Sequence, residues 1–124
     1  MRITDVKVTV WEWKDIPPTR YTLNVASSKS RSTQMALVRI LTDEGIEGNA
    51  FLGSALGSAR SDAPMLIERF RPLLMGQDPL ARERLWQRMS NWAMGTVLRV
   101  VGAVDVALWD LAGKAAGVPV HRLI

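Results

Sequence analysis

Three carboxylates lie close together in this chain, Asp43, Glu44 and Glu47. A hard divalent cation binds where several carboxylates converge from rigid elements. These three fall on or beside the turn Thr42–Gly45, where acidic side chains are ordinarily just solvated, and the other acids are dispersed. The one histidine is His121, and there is no cysteine. That leaves too few soft ligands for zinc and excludes disulfides and thiolate chemistry. A nucleophile needs a base beside it, and the chain has neither a Gly-x-Ser-x-Gly elbow nor a second histidine. His121 reads as a surface residue. Phosphate-binding glycine patterns are also missing, and the glycines at 45, 48, 53 and 57 serve turns.

Two acids and one loop remain. Asp110 precedes Lys114 by one helical turn, which predicts an ion pair on one helix face. Asp105 sits in the same apolar stretch. A carboxylate there needs a partner, so a structural hydrogen bond or salt bridge is expected, with a catalytic role as the alternative. The polar segment 15–33 carries Arg20, Tyr21, Lys29 and Arg31. Cationic side chains on a loop suit a carboxylate or a polyol acid, and a solvated connection is the competing reading.

These residues must be positioned by the elements around them. Ile3–Trp13 alternates with β-branched residues and predicts a strand, with Val6, Val8 and Val10 on one face and Lys7, Thr9 and Trp11 on the other. Pro17 and Pro18 break it. A second strand is expected around Tyr21–Val25, a third over Met35–Leu41, and a short return over residues 46–51 after the turn "TDEG". Ser61 or Asp62 is expected to cap a helix running to about Leu74, with Pro64 in its first turn. Asp78 is expected to cap the next helix, with Ala81, Leu85, Met89 and Trp92 on one stripe. The last helix runs from about Val97 to Gly117. Its apolar set is Val100, Val101, Val104, Ala107, Leu108, Leu111, Ala112 and Ala115, so it should be buried on more than one side. Strands first and helices after, rather than alternating, predict an α+β fold with an antiparallel sheet.

The chain has 124 residues, enough for one domain over 1–124 with one core; there are no repeats and no linker. No apolar run reaches the about 20 residues of a membrane span, and the N-terminus lacks an apolar signal core. A cytoplasmic location is the expectation, without membrane contact. Net charge is +4, from 16 basic and 12 acidic residues. The arginines are interleaved with acids, as in "ARERLWQRM", and the basic–aromatic surface of a nucleic-acid binder is missing, so no nucleic-acid partner is expected.

The end of the chain closely resembles the signature of the mandelate racemase and muconate lactonising enzyme family, within the enolase superfamily. The residues that carry it are Gly102-Ala103-Val104-Asp105, Ala107-Leu108, Asp110-Leu111, Gly113-Lys114, Pro119-Val120 and Leu123-Ile124. The opening "ITDVKVTVW", the hairpin "LVRILTDEGIEG" and "PLLMGQDP" agree with it. Val100 departs from it, since the family usually has alanine there.

The resemblance implies an enolase-like N-terminal capping domain, three antiparallel strands followed by a three-helix bundle. In the family that domain closes over a (β/α)-barrel, which is absent from these residues. It further implies an enzyme that abstracts the proton alpha to a carboxylate, with Mg²⁺ in the complete enzyme and none bound by this chain. The metal ligands and bases belong to the barrel, so the chain alone is expected to be inactive, with no catalytic or metal residue of its own. Its contribution would be two loops that shape the pocket and exclude water. By position these match the 15–33 segment and Gly48–Ser54, making Arg20, Tyr21, Lys29, Arg31, Phe51 and Leu52 the expected substrate contacts. A sugar acid suits the cationic loop, so acid-sugar dehydratase is the first expectation and an aromatic 2-hydroxy acid racemase the second. The implied partners are the barrel, the substrate carboxylate and further copies in a homo-oligomer, with self-association through the last helix. A truncated cap is the main expectation, and a stand-alone module that pairs with a separate barrel chain is the alternative.

Overall fold

The computed structural model of the chain describes residues 1–16, 31–54, 58–92 and 98–124. Three strands, β1 (Ile3–Ile16), β2 (Arg31–Thr42) and β3 (Glu47–Gly53), form an antiparallel sheet in the order β1-β2-β3. The second strand expected around Tyr21–Val25 lies outside the described residues. The hairpin between β2 and β3 forms as its sequence requires: Gly45 has φ +75°, and its N–H donates to the Thr42 carbonyl at 3.3 Å.

Helices then cover one face of the sheet. α1 (Ala59–Met65) and α2 (Arg71–Leu74) are joined by a π-helical turn over Leu66–Phe70. This wide turn lies between Pro64 and Pro72, two residues that cannot donate to the helical ladder. The first helix begins earlier than its capping residues suggested. Ser58 precedes it, Ser61 lies within it, and Asp62 is a buried helical residue rather than a cap. Asp78 caps a turn, accepting the Leu80 N–H at 2.9 Å, before α3 (Arg82–Trp92) begins.

α4 (Leu98–Ala116) is the central helix. It ends in a Schellman arrangement: Gly117 has φ +67°, the Val118 N–H donates to the Gly113 carbonyl at 3.0 Å, and the Gly117 N–H donates to Lys114 at 3.2 Å. Val6, Ala36, Val38, Ile40, Ala50 and Leu52 from the sheet meet Leu66, Phe70, Leu74, Leu85, Met89, Val104, Leu108 and Leu111 in one core. Most of the apolar set of α4 is therefore covered by this chain's own sheet and helices. Among the described residues, what α4 leaves open for the expected self-association is Leu98 and Val106, which are exposed, and Ala115 is exposed rather than buried. No helix among the described residues is long and apolar enough to cross a membrane.

Candidate functional site

Antiparallel pairing decides where the two candidate loops leave the sheet. Trp13 pairs with Thr33 and Ile16 with Arg31, while Gly53, the last residue of β3, lies opposite Met35. β1 ends, β2 begins and β3 ends at the same edge of the fold. The segment between β1 and β2 and the segment after β3 thus depart from the same end of the sheet, the first of them four β2 residues further along. Gly53 fits this crowded exit: its φ is +147°, and a Cβ there would come within 3.1 Å of the Gln34 carbonyl oxygen.

Of the six expected contact residues, Arg20, Tyr21 and Lys29 lie outside the described residues. Arg31 begins β2, so its backbone stands at the root of the first loop. Phe51 and Leu52 are adjacent on a strand and must point to opposite faces. Leu52 is only 2% exposed and fills the core, so its side chain does not project from the sheet end. Phe51 is 67% exposed on the outer face, where it meets Trp11 edge to face with ring centroids 6.3 Å apart. These rings belong to β1 and β3, and they lean towards one another across β2.

Between α3 and α4 lies an open cleft of about 330 Å³ lined by Arg82, Glu83, Trp86, Gln87, Asp105 and Trp109. The Arg82 guanidinium stacks 3.4 Å from the Trp109 ring centroid. The expected hydrogen bond or salt bridge of Asp105 is not found among the described residues. Burial raises its pKa, opposed by the positive charge of Arg82.

The ion pair between Asp110 and Lys114 forms as its spacing predicted, at 2.6 Å, and does more than the sequence suggested. Asp110 also accepts the Asn49 N–H at 2.8 Å, and the Lys114 ammonium donates to the Glu47 carbonyl at 3.0 Å. Together they tie α4 to the start of β3, the strand that carries the second loop. Sequence reading missed a second tie. Asp62 of α1 accepts two hydrogen bonds from Arg99 of α4, at 2.6 and 2.8 Å. Burial pushes the Asp62 carboxyl up, but the Arg99 hydrogen bonds and charge pull it down further, and its pKa is lowered overall.

The carboxylates of the described residues do not suit Mg²⁺. A cation site needs carboxylates that converge, and here several are separately engaged. Asp5 pairs with Arg71, Glu44 with the Met1 ammonium, Glu47 with Arg39, Asp62 with Arg99 and Asp110 with Lys114. Asp43 accepts the Arg2 N–H at 2.7 Å. Among the described residues no three potential ligands gather.

With this geometry in place, comparison with known proteins gives a consistent picture. The profile of the family described as "Mandelate racemase / muconate lactonizing enzyme, N-terminal domain" matches residues 5–124, and the chain belongs to that family. A D-galactonate dehydratase family member from Pseudarthrobacter chlorophenolicus is 40% identical, the match covering 77% of this chain and 24% of that protein. A D-mannonate dehydratase from Sphingomonas sp. (strain SKA58) is also 40% identical, over 70% of this chain and 22% of that enzyme. Among solved structures, D-glucarate dehydratase from Agrobacterium tumefaciens, complexed with magnesium, superposes with a TM-score of 0.77 at 34% identity. The superposition covers 99% of this chain and 32% of that one. The 3,6-anhydro-D-galactonate cycloisomerase from Zobellia galactanivorans gives 0.75 at 26% identity, covering 99% and 31%. The chain thus spans about a quarter of the length of the curated relatives it matches and about a third of these solved chains.

Proposed function

We propose that this chain is the substrate-capping part of a Mg²⁺-dependent acid-sugar dehydratase, acting with a (β/α)-barrel that supplies the chemistry. One observation carries the proposal: the first and second loops leave the same end of the sheet, as a lid over a pocket requires. The dehydratase relatives and the magnesium of the D-glucarate dehydratase structure support it.

In this reading the chain binds and excludes water rather than moving the proton. Arg20, Lys29 and Arg31 would meet the carboxylate and hydroxyls of a sugar acid, with Tyr21 beside them. Cationic donors on a loop suit such a ligand because charge-assisted hydrogen bonds are strong. Closure of the loops removes water from the reacting centre. Mg²⁺ would belong to the barrel, as the family resemblance implies. Phe51, on the outer sheet face, keeps an aromatic 2-hydroxy acid racemase as the second substrate class.

A separately encoded barrel is the alternative arrangement. It is favoured by the closed core, which buries nearly all of the apolar set of α4 without help. The test is the intact mass of the protein from its source, followed by a Mg²⁺ assay on a panel of sugar acids. A mass about three to four times 13.8 kDa, with Mg²⁺-dependent loss of water from an acid sugar, is the expected result. A 13.8 kDa protein that dehydrates a sugar acid unaided would overturn the division of labour.

A further inference from the structure

A carboxylate withdrawn from water needs a counter-charge or hydrogen bonds. Asp5, Asp62 and Asp110 have theirs. Asp105 does not. It is partly buried on α4, in the cleft against α3, with no hydrogen bond or ion pair among the described residues. Arg82 is the one cation that lines the cleft, and it is not the missing partner. Its guanidinium lies on the Trp109 ring, 3.4 Å from the centroid, and reaches Asp105 only through space. Its Nη1 is buried without a hydrogen-bond partner, so a ring face holds this cation and not a carboxylate. The rest of the lining is Glu83, Trp86 and Gln87. Asp105 and Glu83 against Arg82 leave the cleft one negative charge on a chain that carries +4. Arg84 and Arg88 follow Arg82 by two and six residues, which turns them to the far side of α3. Trp86 follows Arg82 by four residues, as Trp109 follows Asp105, so each helix presents a charge and an indole on one face. The Trp86 indole is 46% exposed and, unlike Trp109, carries no cation among the described residues.

We propose that this cleft receives the guanidinium or ammonium group of an arginine or lysine side chain from outside residues 1–124, paired with Asp105 and stacked on Trp86. Three observations select that occupant. The charge left over is negative, so a cation matches it and an anion is repelled. The open indole suits an organic cation, because ring faces bind guanidinium and ammonium groups, and the engaged indole of the same cleft already holds a guanidinium. The cleft, about 330 Å³, is at the small end of ligand pockets, which suits one side chain rather than a cofactor. Magnitude then separates a tethered cation from a free one. A charge pair partly in water and one ring contact are both weak, so a free monovalent cation would bind only at roughly 10–100 mM. A side chain held there by a packed interface loses no further translational freedom, and the same two contacts suffice. The source of the side chain rests on the capping reading, in which a barrel packs on this chain. The site itself does not.

Ethylguanidinium chloride, which copies the end of an arginine side chain, tests the site on the 124-residue chain. The NMR signals of the Trp86 and Trp109 indole N–H groups should shift saturably, with a Kd of roughly 10–100 mM. NaCl at the same ionic strength should not reproduce the shift. Asp105→Asn should weaken binding at least about fivefold, as loss of the charge partner requires. Glu68→Gln, which removes an exposed carboxylate elsewhere, should leave it unchanged. Far-UV circular dichroism checks that each variant folds, and if Asp105→Asn does not, Trp86→Ala gives the same reading at Trp109. Shifts no larger than those of NaCl, or as tight in Asp105→Asn as in the parent, overturn the site. A second arm reads the source. In the 124-residue chain Asp105→Asn should be neutral or stabilising, because the charge there lacks its partner. In the complete protein it should lower the Tm, because it leaves a bound cation unpaired. The same sign in both overturns a side chain supplied by the rest of the protein. A native mass of 13.8 kDa would overturn the capping reading and with it this source, and the titration would still decide the site.

Discussion

Asp62 and Arg99 are 37 positions apart and form a two-pronged ion pair between the first and last long helical segments, with Nε–Oδ2 at 2.6 Å. Asp62 is 1% exposed, so its charge is tolerable only with the guanidinium in place. Arg99→Ala is expected to cost about 2–3 kcal/mol, less than a fully buried pair because Arg99 stays partly in water. Urea titration measures this directly. The pKa of Asp62 is lowered in the folded state, so its contribution is present above the ordinary carboxylate pKa and is lost as pH falls through the folded value. The Arg99→Ala variant should accordingly lose part of the acid sensitivity of the parent.

Two glycines should respond in opposite directions. A Cβ on Gly48 would overlap the Ala107 carbonyl oxygen and come within 2.8 Å of Leu111 Cβ, so β3 and α4 would have to move apart. Gly48→Ala is expected to destabilise by about 3 kcal/mol or more, as overpacking against backbone does. A Cβ on Gly102, inside α4, meets nothing within 4 Å. Gly102→Ala should stabilise by about 0.5–1 kcal/mol through helix propensity. Thermal melts of the two variants check both signs.

Asp110 links the end of the sheet to α4 through Asn49 and Lys114. Asp110→Ala should cost about 1–2 kcal/mol, since the Asn49 N–H loses its acceptor. Hydrogen exchange at Asn49 should rise more than at Val38 in the middle of β2. Equal protection at Asn49 in parent and variant would contradict this account.

Asp105 should behave in the opposite sense to Asp62. Its pKa is raised by burial, with Arg82 opposing, so the folded state favours the protonated form. Its ionised form costs stability, and that cost develops as pH rises from the ordinary carboxylate pKa through the raised one. Asp105→Asn is therefore expected to be neutral or stabilising by under about 1 kcal/mol at pH 7, with a smaller effect at pH 4. Urea midpoints at the two pH values decide it.

What could be read from the sequence followed from local rules. Alternation marked β1, the apolar run Met35–Leu41 before the turn marked β2, Gly45 marked the hairpin, Gly117 marked the end of α4, and four-residue spacing marked the bond between Asp110 and Lys114. Relations between distant segments were not legible. Asp62 looked like a cap because Ser-Asp before a helical stretch is a local signal, whereas its partner is Arg99. Phe51 and Leu52 were read together as substrate contacts, although strand geometry sends one into the core and one to the surface. The apolar set of α4 was read as a surface for self-association because sequence does not show how fully the sheet and the other helices surround it. Of the candidate site, the cationic segment 15–33 was picked out by its composition, and the departure of the β1–β2 connection and of the segment after β3 from one end of the sheet was not legible, since it depends on register.

The central claim is that this chain serves as a cap. It is tested most directly by joining residues 1–124, at Ile124, to the remainder of the D-glucarate dehydratase of Agrobacterium tumefaciens in place of that enzyme's own matching segment. The account expects Mg²⁺-dependent loss of water from at least one acid sugar in a panel, with a substrate preference shifted from that of the donor enzyme, and no turnover by residues 1–124 alone. Turnover by the short chain alone, or a folded, Mg²⁺-binding hybrid that turns over no acid in the panel, would contradict it.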